Sequence, residues 1–234
     1  MNHPRLVSAA TLALIAVALP AAAHAQDRGK RPEPPDQHQL PPDQQRQRAQ
    51  EQEQRTTQYK QHLDQQMHTV QQRTAQLQQQ KRAAQARAQA DYETRLRQQQ
   101  QQLAVARNYA TDPYVRTAPS YRYTIAGAAR ETNQYGVDVL HTAVNDGYRE
   151  GLRAGAADHA DHWKFDYQNS PEYQDADYGY SGQYVDLSDY NYYFRQGFQR
   201  GYSDGYYSRT QYGSSTNGIL ANLVTGILGL VSLH

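Results

Sequence analysis

Small and apolar side chains recur at helical spacing through most of the chain, and the stripe they form changes character along its length. From Gln44 to Ala110 it is thin. Leu63, Met67, Val70, Thr74, Leu77, Ala84 and Ala88 are separated by threes, fours and one seven, the repeat of a coiled-coil seam. Past Ala88 the stripe moves to Tyr92, Leu96 and Leu103, which breaks a strict seven-residue repeat. The stretch contains neither proline nor glycine and is rich in Gln, Ala and Arg, all good helix formers. Asp43 offers a start and Asp112-Pro113 a stop. The pattern predicts one long helix, about 100 Å end to end at 1.5 Å per residue. Two readings stay open for it: a weak coiled coil acting as spacer or oligomerisation device, and a lone solvated helix.

Two further helices are predicted from Thr132 to about His162 and from Ser188 to about Tyr207. The first carries Val137, Leu140, Val144, Gly147, Gly151 and Gly155 on one face. The second carries Tyr190, Phe194, Gly197, Gly201 and Gly205. They are an internal repeat at an offset of 50: Val137 answers Leu187, Leu140 answers Tyr190, Val144 answers Phe194, and the three glycines coincide. Glycine inside a helix costs about 1 kcal/mol relative to alanine, so the ladder calls for a compensating contact. Close helix packing where the β-carbons are missing would supply it. Antiparallel pairing sets the bulky half of each helix against the glycine half of the other, and an antiparallel glycine-zipper pair with approximate two-fold symmetry is the expectation.

The remaining segments are shorter. Residues 111–130 form a connector. Tyr121, Tyr123 and Ile125 alternate there as in a strand, but no partner is evident and the segment reads as an extended loop. Ser170-Pro171-Glu172 opens a short helix to about Tyr180. Ile219 to Leu233 is apolar and uncharged. As a helix it would span about 22 Å, short of the roughly 30 Å of a bilayer core. Packing on the domain, self-association and insertion into a membrane surface compete for it. The fold class expected is all-α. The chain divides into a signal peptide (1–25), a disordered Pro-rich linker (26–43), the Gln-rich helix (44–110), the connector (111–130), a glycine-zipper helical domain (131–212) and an apolar C-terminal helix (213–234).

Charge and composition add an address. Arg5, the apolar run Leu6–Leu19, Pro20 and Ala23-His24-Ala25 have the form of a secretory signal peptide cleaved before Gln26. That predicts export to the periplasm or cell envelope. The chain is nearly neutral, with Lys+Arg 24 and Asp+Glu 23. Yet residues 44–107 hold 11 basic and 5 acidic side chains, and residues 110–234 hold 9 and 14. There is no cysteine, which excludes disulfides and thiolate chemistry.

Candidate chemistry is sparse. Asp158-His159-Ala160-Asp161-His162 is the densest run of ligand-type residues, and Asp158 and His162 share a helical face. A zinc site needs three or four convergent ligands, and no metal or other cofactor is expected. Asp166, Asp175, Asp177, Asp186 and Asp189 lie among tyrosines, but a small helical domain leaves little room for a catalytic cleft, so the chain is not expected to be an enzyme. Trp163, Tyr167, Tyr173, Tyr178, Tyr180 and Tyr184 offer flat faces and hydroxyl groups suited to a glycan. The competing reading is that tyrosines knit the domain together.

The run Glu131–Gly136, the paired Gly-Tyr-x-x-Gly ladders, Phe165–Ser170, Tyr173–Tyr180 and Asp189–Arg195 together resemble an uncharacterised family of exported bacterial proteins. The resemblance covers roughly Tyr121 to His234. It implies a shared helical domain outside the cytoplasm and no activity. The function expected is therefore a non-catalytic structural or interaction protein of the bacterial cell envelope. A glycan- or peptidoglycan-binding module is the alternative. The partners expected are a second copy of the chain, an envelope glycan or a membrane surface, and no nucleic acid.

Overall fold

The computed structural model describes residues 39–105, 107–212 and 224–233, all within one compact unit, Asp36–His234. The signal peptide, most of the linker and residues 213–223 of the C-terminal segment lie outside the described residues. The long helix expected over 44–110 is two helices. Helix α1 (Pro42–Gln79) and helix α2 (Ala83–Ala104) are joined by a tight turn and run antiparallel, with Tyr59 beside Gln99 and Gln66 beside Tyr92. Leu63, Val70, Tyr92 and Leu96 are fully buried between this hairpin and the rest of the molecule. The stripe that slips past Ala88 is thus two stripes, one per helix, and the buried face includes Gln52, Gln66, Gln85, Gln89 and Gln99.

The chain is predominantly helical but not all-α. After a short helix, α3 (Pro113–Arg116), the supposed loop is a hairpin of β1 (Tyr121–Ile125) and β2 (Ala128–Thr132), paired Tyr121 with Thr132 and Ile125 with Ala128. Strand β3 (Val231–Ser232) pairs with the other edge of β1. The partner of β1 therefore follows directly after a two-residue turn. A second partner comes from the C-terminal segment, so the end expected as helix is strand. Ahead of it, residues 224–228 are helical, and Val224 and Leu228 are buried in the common core. Ala126 and Gly127 both have positive φ, 49° and 83°, as a type I′ turn requires. Ala126 has no side-chain means of easing that geometry, so Ala126→Asn should stabilise the fold by roughly 0.5–1 kcal/mol, read as a higher melting temperature.

The glycine helices α4 (Gln134–Ala160) and α6 (Leu187–Tyr206) pack backbone to backbone. A β-carbon at Gly147, Gly151 or Gly155 would overlap the carbonyl oxygen of Phe194, Phe198 or Tyr202. Its counterpart at Gly197, Gly201 or Gly205 would overlap that of Val144, Tyr148 or Leu152. Both series rise together, so the helices run parallel and the antiparallel expectation is overturned. A repeat of 50 residues is equally compatible with a two-fold axis along the helices or across them. The segment between them, including α5 (Pro171–Asp175), returns the chain to the start of the pair. Each glycine then meets a backbone carbonyl of the other helix, close enough for Cα–H···O contacts. Tyr148 on α4 donates to Asp204 on α6 at 2.9 Å, and Tyr202 on α6 donates to Asp158 on α4. Among the described residues no helix is long and apolar enough to cross a membrane.

Candidate binding cleft

Three helices end in the same way, and two of these ends build the cleft. At the end of α4, the Trp163 amide donates to the Asp158 carbonyl at 2.8 Å and the His162 amide to His159 at 3.1 Å, with His162 at φ 53°. At the end of α1, Arg82 donates to Leu77 at 3.0 Å and Lys81 to Gln78 at 3.1 Å, with Lys81 at φ 59°. The end of α6 repeats this at Ser208 and Arg209. Each is a Schellman motif in which a non-glycine residue takes the left-handed position. Lys81→Gly should therefore raise stability by up to about 1 kcal/mol, measured by denaturant titration.

The residues that follow the two turns meet. The Arg82 guanidinium carbon lies 4.3 Å from the centre of the Trp163 ring. Asp161, at the end of α4, accepts from the amides of Ala84 and Gln85 at 2.8 and 2.9 Å, capping α2 from 77 residues away. Asp161→Ala should cost about 1 kcal/mol by leaving these amides open, seen as a lower melting temperature. Asp158 holds Arg82 and the Tyr202 hydroxyl. Burial raises its pKa, while Tyr202 and Arg82 oppose the rise.

These pieces enclose a cleft of about 220 Å³ between the α1–α2 turn and the 163–174 loop. Trp163, at 39% exposure, is one wall. Gln85, Asn169 and Gln174 supply amides, and Leu77 and Pro171 supply the apolar part of the lining. The charges are already engaged: Arg73 contacts Asp175 and Gln174 at 3.2 Å each. Asn169 donates to both oxygens of Asp166 at 2.9 and 3.0 Å, and this holds the Asp166 pKa down. Gln85 is 2% exposed, and its Oε1 accepts no hydrogen bond. An unanswered buried acceptor costs about 1–3 kcal/mol.

The six aromatics expected to form a ligand surface do not converge. Trp163 lines this cleft. Tyr167 and Tyr173 are half-buried, edge to face at 5.1 Å, and Tyr173 lies 5.6 Å from Phe198. Tyr178 and Tyr180 border a smaller cleft of about 120 Å³ near Arg95 and Arg107. Tyr180 is only 1% exposed and donates to the Val185 carbonyl at 2.8 Å, so it serves the core. Tyr184 stacks on Tyr114 at 4.7 Å and reaches Asp112 at 3.2 Å. In the Asp158–His162 run, Asp158 and Asp161 are consumed by Arg82, Tyr202 and the start of α2. Among the described residues no three His, Asp or Glu side chains gather as a metal site would require. Arg82, Gln85, Asn169 and Gln174 have no signal in the sequence beyond belonging to polar stretches.

The chain matches no family model, no curated protein and no solved structure.

Proposed function

We propose that this chain is a non-catalytic interaction protein of the bacterial cell envelope, with its contact surface at the common end of α4 and α6. The observation that carries the reading is a cluster of large aromatics left at the surface there. Trp163 and Phe165 are 39% exposed and Tyr207 is 54% exposed. Phe165 stacks on Tyr207 at 5.7 Å and meets Tyr206 edge-on at 5.4 Å. Arg209 sits 4.8 Å from the Tyr207 ring centre. Exposed aromatics with arginine beside them are the residues that anchor interfaces. The platform under them is stiff, because the glycine pair locks the two helices that carry it.

Fractionation of the native host tests the proposal. The processed chain is expected with the envelope, and a Tyr207→Ser variant, with Tyr207 the most exposed of these rings, is expected to be released to the soluble fraction while still folded by circular dichroism. An unprocessed chain in the cytoplasm would overturn it.

A further inference from the structure

We infer that the Trp163 cleft is a saccharide site that takes one uncharged sugar ring. This rests on the interaction-protein reading and names a ligand for it. Size comes first: about 220 Å³ lies below the roughly 300–1,000 Å³ of pockets for drug-sized ligands, which leaves room for one ring and not for a folded peptide. The charge pattern follows. Arg82 and Arg73 are neutralised by Asp158 and Asp175, and Asp166 also borders the space. An anion would meet carboxylates as readily as guanidinium groups. A hydrocarbon would leave the amides unanswered.

A pyranose satisfies both kinds of surface. Its C–H face packs against the part of the indole that Arg82 leaves uncovered, and its hydroxyl groups donate and accept around the ring. Gln85 borders the cleft and its Oε1 is buried without a donor; a rotation of the side chain would present that acceptor to a sugar hydroxyl. Asn169 and Gln174, exposed at the rim, would take further hydroxyls.

Trp163 is the only tryptophan of the chain, so its fluorescence reports the cleft alone when excited beyond the absorption of tyrosine. The full mature chain is titrated with glucose, galactose and N-acetylglucosamine, each as free sugar and as a β-linked trisaccharide. Inorganic phosphate and an acidic peptide serve as comparison probes. A saturable change with at least one neutral sugar is expected, weakened about tenfold in Gln85→Leu and in Asn169→Ala. Asn169 lies at the rim, so its variant keeps the test alive if Gln85→Leu fails to fold. No saturable response to any sugar, or a response indifferent to both substitutions, overturns the inference. A response to phosphate or to the peptide alone does so too. If the sugars are silent while the chain still fractionates with the envelope, only the ligand assignment falls.

Discussion

Gly201→Ala is expected to destabilise the protein by about 3 kcal/mol, and to lower its melting temperature by roughly 10 °C at this chain length. In an ordinary helix the same change gains up to about 1 kcal/mol. The sign reverses because of what the new methyl group meets. At Gly201 it would overlap the carbonyl oxygen of Tyr148, with the carbonyl carbon at 2.7 Å and the α-carbon at 2.9 Å. These are backbone atoms of a helix, and no rotamer change can move them aside. The helices must separate, and the other glycine contacts lie in the same register, so they open with it. Gly226 provides the control. It lies in the helical residues 224–228, is exposed, and a β-carbon there meets nothing within 4 Å, so Gly226→Ala should change stability by no more than about 1 kcal/mol. Equal melting temperatures for the two variants would remove backbone contact as the basis of the fold.

What the sequence revealed and what it hid follow from the reach of each interaction. The glycine ladders were legible because a four-residue spacing of glycine in a helix costs too much to be incidental. Their direction was not, since a repeat carries no information about which symmetry axis relates its copies. The break after α1 was hidden because Lys81 holds the left-handed position where glycine is the usual signal. The start of α2 was hidden because its cap, Asp161, is supplied by α4.

The buried face of the hairpin was misread because glutamine at a seam position looks solvent-facing. Here Gln99 donates to Tyr59 Oη and to the Tyr180 carbonyl at 2.7 Å each, and accepts from the Gly179 amide at 3.0 Å. Gln52 accepts from the Tyr184 amide at 2.8 Å. The amides recognise the backbone of the 176–185 loop, where a leucine would leave these polar groups unpaired. The cleft inherits the same difficulty: its lining is gathered from four separate segments, and only Trp163 stands out in the sequence by type.

Glu172→Gln is expected to stabilise the protein increasingly as pH rises, because Glu172 is buried without a compensating charge. It lies in the first turn of α5 at 2% exposure, and its Oε2 has no hydrogen-bond partner. Burial raises its pKa to about 8, with Glu150 and Asp175 adding to the rise and Arg95 and its own backbone amide opposing it. Below the ordinary glutamate range, near 4.5, both folded and unfolded chains are protonated and the group contributes no slope. Between there and about 8 the unfolded chain loses the proton while the native state keeps it. The unfolded state then binds fewer protons, so stability falls by up to about 1.4 kcal/mol per pH unit. Above that range both states are ionised and the loss levels off. Asp146, pushed up to about 6 by burial, gives a slope of the same sign at lower pH, and it cancels when variant and wild type are compared. The difference in unfolding free energy should therefore be small at pH 5, grow through neutrality and flatten above pH 8. A difference independent of pH would show that Glu172 is ionised in the native state. Pro171 and Gln174, on either side of it in α5, line the Trp163 cleft, so the same titration strains one wall of the proposed binding site.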